Sequence, residues 1–404
     1  MKKKYVRWTL WTIASPFILF VILCILIYLP PIQNFLVDKA AVYASEATGM
    51  NISVGRISLS FPLNLVVTDV DAASPHNDTL LSVRRLQVNV QLLPLLKKQV
   101  EVDGISLQGA TVNSNDLIHG MKLNGTLGEL FISSHGVALD PETAIVNKVL
   151  LKDTDLSLCL NDTAAVDTAA SDTTYWKIIL QDIDLQNVSF ALDMPLDSLS
   201  LAASLDNAIL RDGLIDLHKS AYSLQTFRIK NGRVRYDSGK PLAADSLPSG
   251  LDPSHIALTD IGVKLDSLYY EGRNMKAIIS QFVLKERSGV EIVSATGRMV
   301  SNDKVLRVPS LKLETRDSYL ELNAAMDWNA LDFKGEGLVS ARLMADIGKP
   351  DVVRFMGRMD EKFVRQYPSE PLRIRTGIDG DLNKLKLTTL TAELPGALGL
   401  FARG

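Results

Sequence analysis

The sequence predicts a mainly β protein behind a single membrane helix: an N-terminal transmembrane helix and an amphipathic helix, then a long curled antiparallel β-sheet of repeating strand groups with a short C-terminal helix. Three observations carry this. Trp8 to Leu29 runs for about 22 residues without a charge. From Asn51 to about Ala345 apolar and polar residues alternate with a period of two. Beyond the span, only Ile32 to Thr48 and Pro350 to Val364 show a helical period.

A helix rises about 1.5 Å per residue, so roughly 20 apolar residues cross the hydrocarbon core of a bilayer. Trp8, Trp11, Phe17, Leu19, Phe20, Ile22, Leu26 and Tyr28 give the span its apolar body and interfacial aromatic ends. A cleaved signal peptide would have a shorter apolar region and then a small-x-small site, whereas Pro30-Pro31 follows here. A buried globular helix of this length would carry a charge. Lys2, Lys3, Lys4 and Arg7 precede the span, and such residues are retained on the cytoplasmic side. The expected order is a cytoplasmic tail at 1–7, an anchor at 8–29 and an amphipathic helix at 32–49. Exported β-structure follows at 50–345, then a helical segment at 346–366 and further strands at 367–404, apparently an incomplete sheet.

Composition narrows the function. At 404 residues and 47% hydrophobic, the chain can bury a large core. A net charge of -3 offers no basic face for phosphate, so nucleic acid is not an expected partner. The two cysteines, Cys24 in the span and Cys159 in a strand-like run, form no disulfide framework and no thiol metal site.

In Ile32 to Thr48, residues Ile32, Phe35, Leu36, Lys39, Val42, Tyr43 and Ala47 recur at three- and four-residue spacings, and Gly49 stands where a left-handed cap would end the helix. The segment is poor in Lys and Arg for a helix lying on a membrane surface, which favours packing on the end of the next domain.

Alternation is clearest where Leu86, Val88 and Val90 interleave with amides, and where Val100 and Val102 interleave with acids. It returns at Leu156 and Leu158, at Phe227 and Ile229, at Leu311 and Leu313, and at Leu385 and Leu387. These strands are half buried, with one wet and one apolar face. Several share a phrase reading apolar, polar, Gly/Asp/Asn, any, any, apolar. It occurs at Leu107 to Val112, Leu151 to Leu156, Leu185 to Phe190 and Ile229 to Val234, with shorter cousins at Val67 to Val70 and Leu258 to Ile261. An offset of five would flip the second apolar residue to the wrong face, so the Gly, Asp or Asn is expected to mark a bulge or tight turn that resets the register. Asn161 to Thr174 and Asp237 to Pro253 lack periodicity and read as solvent loops.

No catalytic constellation emerges. His76, His119, His135, His218 and His255 are scattered without metal-ligand spacing, and Gly335-Glu336-Gly337 lacks the third glycine of a dinucleotide fingerprint. No enzyme, metal or cofactor is expected. One modification signal stands apart. Asp-Ser/Thr-aliphatic triplets begin at Asp78, Asp162, Asp167, Asp197, Asp245 and Asp266. They resemble an O-glycosylation acceptor motif of some Gram-negative periplasmic proteins, although Asp-Ser and Asp-Thr are also common turn pairs.

The order of features over residues 1 to 112 resembles the N-terminal part of the AsmA/TamB family. The likeness rests on the anchor, the helix ending Ala47-Thr48-Gly49, Ile52 to Leu59 with Phe61-Pro62-Leu63, Thr79 to Leu86, Leu92 to Lys98, and Val102 to Ala110. The resemblance implies a bridge-like lipid-transfer protein of the inner membrane and periplasm, with a taco-shaped β-groove that moves phospholipid towards the outer membrane. It also implies, for TamB-like members, protein translocation and assembly with a BamA-type outer-membrane partner. This sequence is much shorter than TamB-type members and lacks their C-terminal domain, so that partnership belongs to a longer form.

A groove also has a physical basis. An apolar sheet face must be covered by a second sheet, by helices or by ligand, and few helices are predicted. Each methylene taken out of water is worth about 0.8 kcal/mol, so a sixteen-carbon chain gains roughly 12 kcal/mol. A closed sandwich or barrel filled by its own side chains is the competing architecture. A membrane-tethered scaffold without lipid is the competing function. The span and the helix after it are expected to hold one groove end at the bilayer.

Overall fold

The computed structural model describes residues 48–404 except 61–63, 75–77, 92–101, 115–119, 139–141, 162–174, 240–249, 333–336 and 357–359, together with 39, 41–43, 45 and 46. The expected anchor at Trp8 to Leu29 and its basic flank lie outside the described residues. Among the described residues no helix is long and apolar enough to cross a membrane. Residues 39, 41–43, 45, 46 and 48 have helical backbone, and Gly49 follows at φ +69° with its N–H donating to the Ser45 carbonyl at 2.9 Å.

Among the described residues nineteen strands form one large curved sheet. β1 (Asn51–Ser60), β2 (Asn64–Ala73), β3 (Thr79–Val90), β4 (Val102–Asn113), β5 (Met121–Ala138) and β6 (Thr143–Leu160) pair in succession, each antiparallel to the last. β7 (Lys177–Met194) lies parallel to β6. β8 (Leu199–Asp216) is antiparallel to β7, and β9 (Ala221–Leu224) and β10 (Thr226–Ser238) follow one another along its far edge. Both of these pair with β11 (His255–Glu271).

An antiparallel meander completes the sheet. It runs through β12 (Asn274–Glu286), β13 (Glu291–Ser301), β14 (Val305–Thr315) and β15 (Tyr319–Asp327). It ends with β16 (Val339–Ile347), β17 (Leu372–Asp381), β18 (Lys384–Leu394) and β19 (Leu398–Ala402).

The fully antiparallel sheet expected from the sequence is corrected at one pair, β6 and β7. Residues 161–176 join these strands, more than the dozen or so that a parallel crossover requires. The aperiodic stretch that reads as a solvent loop thus belongs to a crossover.

Extensive contacts between elements are those between sheet neighbours, as in a single layer. The buried apolar residues among those described are mostly small: Ala72, Ala208, Ala295 and Ala345 are examples, with Leu80, Ile261 and Leu394 among the larger ones. A closed sandwich would bury the large residues of its inner faces. Here Leu, Ile and Phe on the strands are mostly half-buried.

The helical period at Pro350 to Val364 is divided between α1 (Lys349–Met356) and α2 (Glu361–Gln366). Asp360 caps the second helix, its Oδ1 accepting the Lys362 N–H at 2.9 Å. α1 docks through Asp351, which is 1% exposed. Its carboxylate accepts from Thr315 Oγ1, from Ser318 Oγ at 2.6 Å and from Arg354 Nη1 at 3.0 Å. Burial is the largest single influence on this carboxyl and pushes its pKa up. The bonds from Ser318, Thr315 and Arg354 together outweigh it and hold the pKa below the ordinary carboxylate range.

Candidate functional site

The apolar face of the sheet is the candidate site, and the recurring phrase is what keeps it continuous. Asp69, Gly109, Asp153, Asn187, Asn231 and Asp260, the third residues of the phrases, all have φ between +49° and +62°. Asn, Asp and Gly are the residues that visit this left-handed region at least cost.

The first five of these lie on one line across the sheet. Thr68 and Val70 pair with Arg85 and Val83, which pair with Gln108 and Ala110. The line continues between Glu129 and Leu127, Lys152 and Thr154, Gln186 and Val188, Asn207 and Leu205, and Lys230 and Gly232. Pairing passes through it one for one as far as β10, and slips between β10 and β11 around Gly232 and between β11 and β12 around Asp260. The expected bulge or tight turn is therefore corrected for the line from β1 to the β8–β10 pair, whereas at Asp260 on β11 the register does slip between Thr259 and Gly262 against β12, as a bulge requires. A bulge adds an unpaired residue, whereas a single left-handed residue turns the pleat while preserving the register.

The consequence is visible on β10. Arg228 and Lys230 are exposed before the line, and Arg233 and Arg235 after it. Phe227, Ile229, Val234 and Tyr236 are half-buried. Alternation resets by one residue, and the apolar side chains of both arms stay on one face. Glycine faces the left-handed residue at two places. A Cβ on Gly55 would stand 2.9 Å from that of Asp69, and one on Gly128 2.8 Å from that of Asp153. Side chains tie the line together: Asn187 Nδ2 donates to Asp153 Oδ1 at 2.9 Å, and Asn231 Nδ2 donates to Asp206. Lys285 Nζ lies 2.7 Å from Asp260 Oδ2, and that hydrogen bond, first of all, raises the pKa of its ammonium.

Register then joins strands into rows. Ile57, Val67, Leu86, Leu107, Leu130 and Leu151 are consecutive partners from β1 to β6. The row runs on through Leu185, Ala208, Ile229, Val263 and Phe282. It ends through Ala295, Leu313, Leu320, Ala345, Ile374, Ala392 and Leu400 on β19. Every member is apolar, and only the alanines Ala208, Ala295 and Ala345 are buried.

A second row, two residues along most strands, begins Leu59, Leu65, Val88, Ile105, Ile132 and Val149. It continues Ile183, Leu210, Phe227, Leu265 and Ile279, then Gly297, Leu311, Leu322 and Leu343. One residue from the first row, on the opposite face, the partners are Arg56, Thr68, Arg85, Gln108, Glu129, Lys152, Gln186, Asn207 and Lys230. That row is polar throughout.

Of the lining residues read from the sequence, Leu86, Ile229 and Leu313 share the first row, and Val88, Phe227 and Leu311 the second. Leu156 and Leu158 stand on the other arm of β6, beside Phe190 and Leu192 of β7. Val90 meets Val102 after a register slip. Leu387 pairs with Ile378, while Leu385 faces Gly380 and is 44% exposed. Val100 lies outside the described residues. Sequence periodicity missed Leu107, Leu130, Leu151 and Leu185 as partners in a row, although the phrase contains three of them.

Other polar groups serve local structure. His255 Nδ1 lies 2.9 Å from Asp252 Oδ2, and this bond, followed by the Ser254 N–H, holds the Asp252 carboxyl below its usual pKa. His218 meets the Tyr175 ring edgewise, with centroids 5.6 Å apart. Cys159 Sγ lies 3.3 Å from Asn161 Oδ1. Among the described residues no cluster of His, Cys, Asp or Glu could hold a metal ion. In comparisons with known proteins, the chain matches no family model and no curated protein.

Proposed function

We propose that this protein is an inner-membrane-anchored periplasmic conduit that carries phospholipid along its apolar sheet face towards the outer membrane. In this reading the sheet curls about that face as a groove, and the acyl chains lie across the two apolar rows. The observation that carries it is the uninterrupted row from Ile57 on β1 to Leu400 on β19, whose large members are left half-covered by the protein. With strands about 4.8 Å apart, the row runs roughly 80 Å before curvature. A sixteen-carbon chain on such a surface gains roughly 12 kcal/mol relative to water. Because neighbouring positions are chemically alike, most of that gain is retained as the chain slides. The likeness of residues 1–112 to AsmA/TamB proteins supports the same reading.

The test is site-specific photocrosslinking in intact cells. A photoreactive residue at Val88 or Leu158 is expected to capture phospholipid, and one at Lys152 on the polar face is not. Absence of lipid adducts at both apolar positions would falsify the conduit. Protein adducts at those positions, with normal lipid distribution on deletion, would instead identify a membrane-tethered assembly scaffold.

A further inference from the structure

The fold separates the described Asp-Ser/Thr-aliphatic triplets into two environments. The row Ala72, Leu81, Val112, Gly125, Leu156, Phe190, Ala203 and Val234 marks one end of the strands. At this rim β2 turns into β3, β6 ends, β7 turns into β8, and the connection from β10 to β11 departs. The triplets beginning at Asp78, Asp162, Asp167, Asp197 and Asp245 all belong to these connections or their immediate ends. Those at 162–164, 167–169 and 245–247 lie outside the described residues.

Asp78 and Thr79 are exposed where a turn closed by the Ser74 N–H to the Asp78 carbonyl, at 2.8 Å, leads into β3. Asp197 and Ser198 are exposed in the β7–β8 turn, and Ser198 is held at φ +51°. Ser198 borders an open recess of mixed character, with Arg235, Asp237 and Arg287 among its charged walls. The sixth triplet differs. Ser267 is half-buried within β11, where it pairs with Ile278 of β12. Asp266 accepts a hydrogen bond from Ser280, and that bond is the first cause of its lowered pKa.

We propose that Thr79 and Ser198 are O-glycosylation sites and that Ser267 is left unmodified. A transferase must seat a short peptide segment and bring its hydroxyl to an activated sugar. Ser198 stands in a protruding turn and Thr79 is the exposed first residue of β3, paired with Ala73 at the strand's end, whereas Ser267 is half-buried in mid-strand with its backbone engaged. The donor class is a polyprenyl-diphosphate-linked sugar. The threonine or serine oxygen attacks the anomeric carbon, and the new C–O bond forms as the bond from that carbon to the diphosphate oxygen breaks. Polyprenyl diphosphate leaves, the hydroxyl proton passes to a basic group of the transferase, and no electron is gained or lost. The modified rim would carry bulky, hydrated groups clear of the apolar rows. The proposal rests on the exported placement of the chain in the conduit reading.

The experiment is peptide mass spectrometry, with electron-transfer fragmentation, of the full chain purified from its own cells. Glycan mass is expected on Thr79 and Ser198, with the Ser267 peptide bare. Thr79→Ala and Ser198→Ala should each remove one increment, and Asp197→Asn should remove the increment from an intact Ser198. Bare Thr79 or Ser198, a glycan on Ser267, or an unchanged glycan in Asp197→Asn overturns the proposal. Protease added to permeabilised cells in parallel separates the causes: bare peptides from a digested chain refute only the sites, and bare peptides from a protected chain refute the exported placement as well.

Discussion

Asn231 occupies a conformation that most side chains avoid, at φ +53°, and its amide reaches Asp206 on the neighbouring strand. Alanine there would lose the amide bond while keeping a Cβ against the following carbonyl, a strain of about 1–2 kcal/mol that the asparagine side chain offsets by hydrogen bonding. Glycine would relieve the backbone and lose only the amide. Urea denaturation is expected to rank wild type, Asn231→Gly and Asn231→Ala in that order of falling stability; equal midpoints for the two variants would show that the left-handed conformation costs nothing here. The phrase at Ile229 to Val234 is legible in the sequence because its odd spacing contradicts a plain strand. What it does was less legible. A bulge and a register-preserving left-handed residue both restore the face, and only the partners across the strand distinguish them.

At the scale of the element, α1 shows how a short helix is fixed by one buried charge. Asp351 lies between the β14–β15 turn and Arg354, which also reaches Asp317 Oδ2 at 2.7 Å and whose carbonyl accepts the Leu251 N–H at 2.8 Å. The folded carboxyl has a pKa below the ordinary 3.8, so on acidification the unfolded chain takes up the proton first. Its stabilisation is complete above about pH 4 to 5 and is lost as the pH falls through the lower folded value. Asp351→Asn is expected to cost about 1.5–3 kcal/mol at neutral pH. The gap from wild type should narrow as denaturation is repeated towards pH 3, and a pH-independent gap would refute the assignment. The sequence places Asp351 only within a helical period, because Thr315 and Ser318 are distant in the chain. The connection between β6 and β7 likewise reads as a loop: composition shows that residues 161–174 are aperiodic, but not that the following strand returns alongside in the same direction.

Over the whole molecule, the proposed conduit makes lipid association a property of the sidedness of continuous apolar rows more than of any one residue. Leu185 and Gln186 are adjacent on β7 yet belong to the apolar and polar rows respectively. Leu185→Asp is expected to lower the phospholipid that co-purifies with the protein several-fold, since a carboxylate amid acyl chains must be desolvated. Gln186→Asp should leave it unchanged. Lipid content and a denaturation midpoint measured on the same preparations check this, and equal lipid loss in both variants would overturn the two-sided reading.

The sequence by itself determined that strands dominate, which residues alternate within each, and where Gly, Asp or Asn interrupts the alternation, because these follow from side-chain period and local backbone preference. The rows depend on which residue of one strand faces which of the next, a choice among distant partners that local periodicity does not contain. Tertiary pairing alone aligned the left-handed residues into a line, set β7 parallel to β6, and joined separate two-faced strands into apolar rows, one of them running from β1 to β19.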